Sequence, residues 1–264
     1  MNIIVCLKQV PDTNEVRINQ ETGTLIRDGV PSIINPDDKN ALEAALQIKD
    51  EKGGKVTVIS MGPPQAKEAL REALAMGADE AILISDRAFG GSDTWATATI
   101  IAAAIEKTKN YDIVLCGRQA IDGDTAQVGP EIAEFLGVPQ ITYAKEIKLN
   151  KEKVTVTRFT ETGDYIIEAK LPVLLTAIKE LNTPRYPSVK GIFKYYTPES
   201  DEIIVWSFND LEVDPTQIGL KGSPTNVFKS FVPTKPKTAE IIDGISGKEK
   251  AASLVNKLAD LKLI

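Results

Sequence analysis

Short apolar runs alternate with longer segments of helical spacing over residues 1–140 of the chain. The apolar runs have the composition of buried strands and cover residues 2–7, 55–60, 81–85 and 113–116. Apolar residues recur every three to four positions over residues 38–51, 65–76, 93–107 and 127–136. Right-handed crossovers between such units give a parallel sheet covered on both faces. We therefore predict a doubly wound α/β fold that binds ligands at the carboxyl ends of its strands.

The pattern changes after Pro139 to alternation with a period of two. Alternating runs over residues 147–149, 154–159 and 165–169 are separated by polar turns, which predicts an antiparallel meander. A last apolar run, Val173–Ala177, is expected to return to the main sheet.

The C-terminal part of the chain has neither pattern. Residues 180–200 contain three prolines and little periodicity, which predicts a long ordered connection. A proline-rich linker follows, and then residues 246–261 have the spacing of an amphipathic helix with Ser246 as N-cap. Because a helix on such a linker has little core of its own, we expect it to pack on another protein. We divide the chain into a main domain, residues 1–231, and a C-terminal arm, residues 232–264.

Composition narrows the class of protein. The formal net charge of −6 argues against non-specific binding of nucleic acid. No apolar run approaches the roughly 18 to 20 residues of a membrane span. The N-terminus enters a predicted strand and lacks the charged start and cleavage site of a signal peptide. We expect a cytoplasmic protein with no membrane span.

The sequence contains no histidine and only two cysteines, Cys6 and Cys116. The lack of histidine removes Ser-His-Asp and Cys-His catalysis and the usual acid–base group at neutral pH. Few ligands remain for zinc or a transition metal, so we predict no metal site. Both cysteines lie in apolar runs and are expected to be buried, reduced thiols. Redox chemistry would therefore have to come from a cofactor.

Residues 117–128 connect a predicted strand to a predicted helix through small and polar residues. The N–H groups of a first helical turn, together with the helix dipole, favour a phosphate at such a place. Thr125 and Gln127 carry donors for phosphate oxygens, and Arg118 carries a cation. Asp122 and Asp124 repel phosphate, so they fit a role in shaping the loop or in accepting from ribose hydroxyls. The residues alone leave an ordinary strand-to-helix connection as the alternative.

A second loop, residues 90–97, follows the third predicted strand and opens an alanine-rich helix. Ser92 or Asp93 can cap that helix, and Thr94 and Thr97 share one of its faces. The alternative is a capped helix whose threonines bond to its own carbonyls.

Four segments resemble one known family. Residues 117–130, GRQAIDGDTAQVGP, closely resemble the nucleotide loop of the small (beta) subunit of electron transfer flavoproteins. VCLKQVPDT at the N-terminus and the MGPP and LAMGAD segments are similar to that family in the same order, and residues 181–192 are similar to its partner-docking loop. The resemblance covers nearly the whole chain.

The resemblance implies a subunit of a heterodimer that carries electrons through a flavin. Residues 90–97 and 219–227 are similar to members that hold FAD in this subunit, which favours FAD over AMP and an electron-bifurcating type. Implied partners are the large (alpha) subunit, an acyl-CoA dehydrogenase, and ferredoxin or flavodoxin, with NADH as a transient hydride donor. The docking loop, residues 181–194, would contact a partner through Arg185, Tyr186 and Val189, where Val189 replaces the family's usual leucine.

The cofactor-binding residues expected from the loops and the resemblance together are Cys6, Asn35, Asp37, Asp38, Met61, Asp93, Thr94, Thr97, Gly117, Arg118, Gln119, Asp122, Gly123, Asp124, Thr125, Ala126, Gln127, Val128 and Thr225. Three alternatives remain open. One is a non-bifurcating subunit that holds AMP. The others are an adenine-nucleotide hydrolase or ligase with a pyrophosphatase-type loop, and a non-catalytic nucleotide-sensing protein of the universal-stress type.

Overall fold

One large sheet organises the chain, in the strand order β11-β5-β4-β1-β6-β10-β7-β8-β9, and β2 and β3 form a separate antiparallel pair. The computed structural model describes residues 1–12, 31–150, 152–197, 202–228 and 239–264. The strands are β1 (Asn2–Cys6), β2 (Gln9–Pro11), β3 (Ser32–Ile34), β4 (Lys55–Met61), β5 (Glu80–Ile84), β6 (Ile113–Gly117), β7 (Gln140–Asn150), β8 (Lys153–Arg158), β9 (Tyr165–Lys170), β10 (Val173–Ala177) and β11 (Ile203–Trp206). The helices are α1 (Pro36–Lys52), α2 (Lys67–Met76), α3 (Thr94–Thr108), α4 (Val128–Leu136), α5 (Val189–Tyr195), α6 (Gly219–Gly222) and α7 (Gly247–Asp260).

Two apolar cores lie on opposite faces of this sheet. Helices α1, α2 and α5 pack on one face, where Leu42, Leu70 and Tyr195 are buried. Helices α3 and α4 pack on the other, through residues such as Ile100 and Ile132. Seven strands from β11 to β7 are parallel neighbours, and β7, β8 and β9 pair antiparallel. The predicted doubly wound, mostly parallel sheet with an antiparallel meander is thus confirmed.

The direction of strand addition reverses between β1 and β6. From β1 the chain builds outward through β4 and β5, and it then returns to place β6 on the other side of β1, with Cys6 in register with Cys116. In open α/β sheets the crevice outside the carboxyl ends of the strands at such a reversal is the usual ligand site. Residues that follow β1 and β6 meet there.

Several short elements were not expected from the sequence. They are β2, β3, β11, α5 and α6, each of three to seven residues, which is too short for a periodic pattern to show. The predicted linker after residue 231 falls outside the described residues. Among the residues that the structure does describe, no helix combines the length and apolar character that a membrane crossing requires.

The chain divides into two compact units, Met1–Phe228 and Lys229–Ile264. The second contains α7, and Ser246 caps that helix by accepting from the N–H of Glu249 at 3.3 Å. Its apolar side chains are exposed within this unit, with Leu254 at 46% and Val255 at 52%.

Candidate functional site

Asp38, in the first turn of α1, joins the ends of β1 and β6. Its carboxylate accepts from the N–H of Lys8 at 2.8 Å and from the N–H of Gly117 at 2.9 Å. A Cβ at Gly117 would lie 2.3 Å from Asp38 Oδ1, so only glycine permits this approach. Burial raises the pKa of Asp38 to about 7, against the opposing effect of the Lys8 and Gly117 N–H groups. The floor of the crevice is therefore held by a buried carboxyl group.

Asn35 ties the loop of residues 117–128 to the start of α1. Its side chain is fully buried. The amide donates to the carbonyl oxygen of Gln119 at 2.8 Å and accepts from the N–H of Ile121 at 3.0 Å. The ammonium group of Lys8 lies 2.6 Å from the carboxylate of Asp122. Two side chains from outside the loop thus set its position before any ligand binds.

The loop itself has an unusual backbone. Asp124 and Ala126 have φ values of 55° and 53°, in the left-handed region that non-glycine residues rarely adopt. The N–H of Asp124 donates to the carbonyl of Ala120 at 2.8 Å, and the side chain of Gln119 donates to the Asp124 carboxylate. Left-handed residues outside glycine tend to cluster at ligand sites. Asp122 and Asp124 both bond to protein groups here, as a role in shaping the loop requires.

Helix α4 begins at the end of this loop, and the N–H groups of Val128 and Gly129 in its first turn donate to no described residue. Gln127 makes no side-chain cap at its start, and the first N–H groups of a helix have no partner inside it. Thr125 and Gln127 are exposed, and a Cβ at Gly123 would meet nothing within 4 Å. Gly129 brings the first turn close to β10, because a Cβ there would lie 2.9 Å from the methyl group of Thr176. The arrangement suits a phosphate group, which attracts free N–H groups and a positive helix end.

Arg118 is the second residue of the loop and is only partly paired. Its Nε lies 3.3 Å from the carboxylate of Asp37, yet this buried atom makes no hydrogen bond to any described residue. Its guanidinium lies 5.9 Å from the ring centroid of Tyr143, and that of Arg158 lies 5.8 Å from the same centroid. Burial raises the pKa of Asp37, and the charge of Arg118 opposes that rise. Positive charge therefore accumulates beside the β6 end of the crevice.

The start of α3 forms a second part of the rim. Asp93 caps α3 and also accepts from the N–H and hydroxyl of Thr225 at 2.9 and 2.7 Å. The N–H of Asp93 donates to Ser223 at 2.8 Å, and the N–H of Gly219 donates to Ser92 at 3.1 Å. Residues 219–225 are thus fastened to residues 90–93. In this arrangement Thr225 fixes the shape of the rim.

Helices α3 and α4 meet through side chains at their N-terminal ends. The hydroxyl of Thr94 donates to Glu131 Oε1 at 3.1 Å, and Trp95 packs edge-on against Phe135 at 4.8 Å between centroids. Burial raises the pKa of Glu131, which its bond to Thr94 opposes. Thr97 is half-buried on α3 and makes no side-chain hydrogen bond to a described residue. The two loops predicted from the sequence therefore lie side by side.

Three further apolar or thiol side chains lie at the strand ends. Cys6 ends β1 and Cys116 is its neighbour on β6, and both are buried free thiols. The hydrogen bond with Cys6 is the main cause that raises the pKa of Cys116. Met61 ends β4 and packs against the core under α3. Cys6 and Met61, two of the predicted cofactor-binding residues, thus lie at the carboxyl ends of neighbouring strands.

Known proteins resemble this chain along its whole length. A family model for the electron transfer flavoprotein domain matches residues 22–208. The electron transfer flavoprotein subunit beta of Thermoanaerobacterium thermosaccharolyticum is 61% identical over 258 residues, with 98% of each chain covered. The caffeyl-CoA reductase-Etf complex subunit CarD of Acetobacterium woodii is 57% identical over 265 residues, with 100% of each covered. The chain belongs to the electron transfer flavoprotein family.

A third relative of this electron transfer flavoprotein chain is the acryloyl-CoA reductase electron transfer subunit gamma of Anaerotignum propionicum, 49% identical over 272 residues with 100% of each chain covered. The chain is a small, beta-type subunit that acts in electron transfer, so the family expected from the sequence is confirmed.

Residues 181–194, the loop predicted to dock a partner, are fastened to α1 and, through Ser188 and the carbonyl of Ala75, to α2. Arg185 pairs with Glu43, at 2.9 Å from Nε, and with Asp50, at 2.8 Å from an Nη atom. Arg185 therefore holds the loop from within. Tyr186 is 90% exposed and Val189 is 71% exposed, so these two side chains remain available to a partner.

Three residues of the site were missed by the sequence reasoning. Glu131, Tyr143 and Arg158 lie outside the recognised segments or were assigned to helix and sheet surfaces. For Glu131 no signal stood out, because an acidic residue in the first turn of a helix is favoured by the helix dipole and is common there. No pattern in the sequence predicts that β7 turns Tyr143 towards Arg118, at a φ of 57°.

Proposed function

We propose that this chain is the small subunit of a heterodimeric, electron-bifurcating flavoprotein and that it binds one FAD. The observation that carries the proposal is the pairing of two loops, residues 117–128 and 90–97, at the reversal point of the sheet. The first supplies the free N–H groups and hydroxyls that suit a phosphate. The second lies next to the first across the hydrogen bond between Thr94 and Glu131, and its similarity to family members that hold FAD favours the longer cofactor.

The described residues fit such a cofactor in three respects. Asn35 and Asp38 hold the loop and the strand ends in place without a ligand. Thr125, Gln127 and the first turn of α4 keep their donors for the phosphates. The buried oxygen Oε2 of Glu131, at the start of α4, has no hydrogen-bond partner among the described residues, as expected beside a group that is bound later.

When bound, FAD supplies the redox chemistry, since it accepts a hydride from NADH and passes electrons on singly. The residues of this chain bind and orient the cofactor and surround it with fixed dipoles. The acceptors are the FAD of the large (alpha) subunit, leading to an acyl-CoA dehydrogenase, and ferredoxin or flavodoxin. The reductase complexes in the names of two relatives support a CoA-ester pathway.

The surfaces that we propose to contact partners are those with exposed apolar side chains. Tyr186 and Val189 project from a loop that Arg185 and two prolines hold rigid, which lowers the entropic cost of docking. The C-terminal arm exposes the apolar side of α7 within its own unit. We assign the docking loop to the dehydrogenase or another partner and the arm to the large subunit.

The second candidate is a non-bifurcating subunit that holds AMP at the same loop, because the phosphate-binding features alone need only an adenylate. Release of nucleotides from the purified heterodimer, reconstituted with excess FAD and then denatured, separates the two. Two FAD molecules per heterodimer and no AMP are expected. One FAD and one AMP would overturn the proposal in favour of the second candidate.

A further inference from the structure

Glu131 stands in an unusual position at the junction of the two loops. It lies in the first turn of α4, three residues after Val128, and its Oε1 accepts from the hydroxyl of Thr94, the first residue of α3. This is the side-chain hydrogen bond that connects the N-terminal ends of the two helices. Its second oxygen, Oε2, is shielded from solvent and bonds to no described residue.

This arrangement is costly, so a structural role alone explains it poorly. A buried carboxyl oxygen without a partner is unfavourable, and Asp93 adds negative charge nearby, which contributes to the raised pKa of Glu131. The packing of α3 on α4 does not depend on Glu131, because Trp95 and Phe135 already join the helices in an edge-on ring contact.

The bond has one clear chemical consequence for Thr94. A hydroxyl group has one proton, and Thr94 gives that proton to Glu131. The lone pairs of the Thr94 oxygen are then presented to the rim as acceptors. A ligand that meets Thr94 must therefore bring an N–H or O–H donor.

We propose that Glu131 is a positioning residue that makes Thr94 an acceptor for the polyol and ring portion of the cofactor, and so selects FAD over an adenylate. This inference rests on the proposed function. AMP and ADP end at phosphate groups, which bring acceptors at neutral pH. FAD continues past its phosphates with ribityl hydroxyls and a ring N–H, which are the donors that Thr94 can accept.

The test compares the affinities of AMP, ADP and FAD for the heterodimer after removal of the nucleotide held by this chain. Glu131→Leu is expected to weaken FAD about tenfold, the effect of losing one oriented hydrogen bond, and to leave AMP and ADP within about twofold. Glu131→Gln keeps an acceptor oxygen in place and should retain most of the FAD affinity. Glu134→Leu, at an exposed position of the same helix, is the matched control and should change none of the three.

A double-mutant cycle distinguishes loss of the hydrogen bond between Thr94 and Glu131 from a general disturbance of α4. Thr94→Val removes the same bond from the other side, so adding Glu131→Leu to it should weaken FAD no further. An equal loss for AMP, ADP and FAD, or additive losses in the cycle, would overturn the role given to Glu131. If the unsubstituted heterodimer holds AMP at this site even under excess FAD, the proposed function itself fails, and that outcome is visible before any variant is made.

Discussion

Asn35 offers the sharpest test of how the nucleotide loop is held. Its fully buried amide makes two hydrogen bonds to the loop backbone, to the oxygen of Gln119 at 2.8 Å and from the N–H of Ile121 at 3.0 Å. Asn35→Ala removes both and leaves two partly buried backbone groups without partners. Each such group costs about 1–3 kcal/mol, so a total of about 2 kcal/mol is a conservative estimate.

This free energy should appear in nucleotide affinity, because the ligand binds only the ordered loop. Lowering the cost of opening the loop by about 2 kcal/mol reduces the apparent affinity by no more than about 30-fold, because only the closed fraction of the free protein binds. The assay is titration of FAD and AMP into the stripped heterodimer, followed by calorimetry or flavin fluorescence. Both ligands should weaken by similar factors, since the loop contacts the adenylate half that they share.

Asn182→Ala is the matched control for this prediction. Asn182 also makes two hydrogen bonds through its amide, both with Asn40 at 3.0 Å, but they hold the docking loop to α1. It should cost comparable stability and leave nucleotide affinity unchanged. Equal nucleotide affinity in Asn35→Ala and the unsubstituted protein would refute the expectation that the two Asn35 hydrogen bonds control the loop conformation that the ligand binds.

Three further predictions concern the same crevice. Thr125→Val should weaken nucleotide binding about tenfold or more, through loss of a hydrogen bond to a charged oxygen; unchanged flavin content in the folded variant would contradict this. Gly123→Ala should leave the melting temperature unchanged, because the added Cβ would meet nothing within 4 Å and the φ of residue 123 is not positive. The same variant should lower nucleotide affinity, because the added methyl group would obstruct a ligand at the loop. Unchanged affinity would show that no ligand approaches residue 123. Because the folded pKa of Asp38, about 7, lies above its usual 3.8, its contribution to stability is fully present below pH 4 and is lost as the pH rises to 7. Urea unfolding of the unsubstituted chain and of Asp38→Asn measures this effect. As the pH rises across that window, the free energy of unfolding of the unsubstituted chain should fall by about 1.4 kcal/mol per pH unit relative to the variant. Parallel pH profiles of the two proteins would refute the prediction.

The fold was predictable because its long elements repeat a strong local pattern. The apolar run at Ile113–Gly117 and the helical spacing after Val128 fixed a strand, a loop and a helix, and therefore a phosphate-type loop. Elements such as β11, at the sheet edge, carry only four residues, and their place depends on pairing with β5 across more than a hundred residues of chain. A local pattern contains no information on such a partner.

The contacts that shape the site depend on residues far apart in sequence, so residue types alone do not show which donors and charges already have partners. Arg185 stays a predicted docking residue, and its guanidinium already pairs with Glu43 and Asp50. Thr225 stays a predicted cofactor-binding residue, and both its N–H and its hydroxyl already bond to Asp93. A polar residue near a ligand site is available only if no nearer partner uses its donors. Thr125 and Gln127 meet that condition in the described residues, and so they, rather than the more conspicuous charges around them, carry the phosphate assignment.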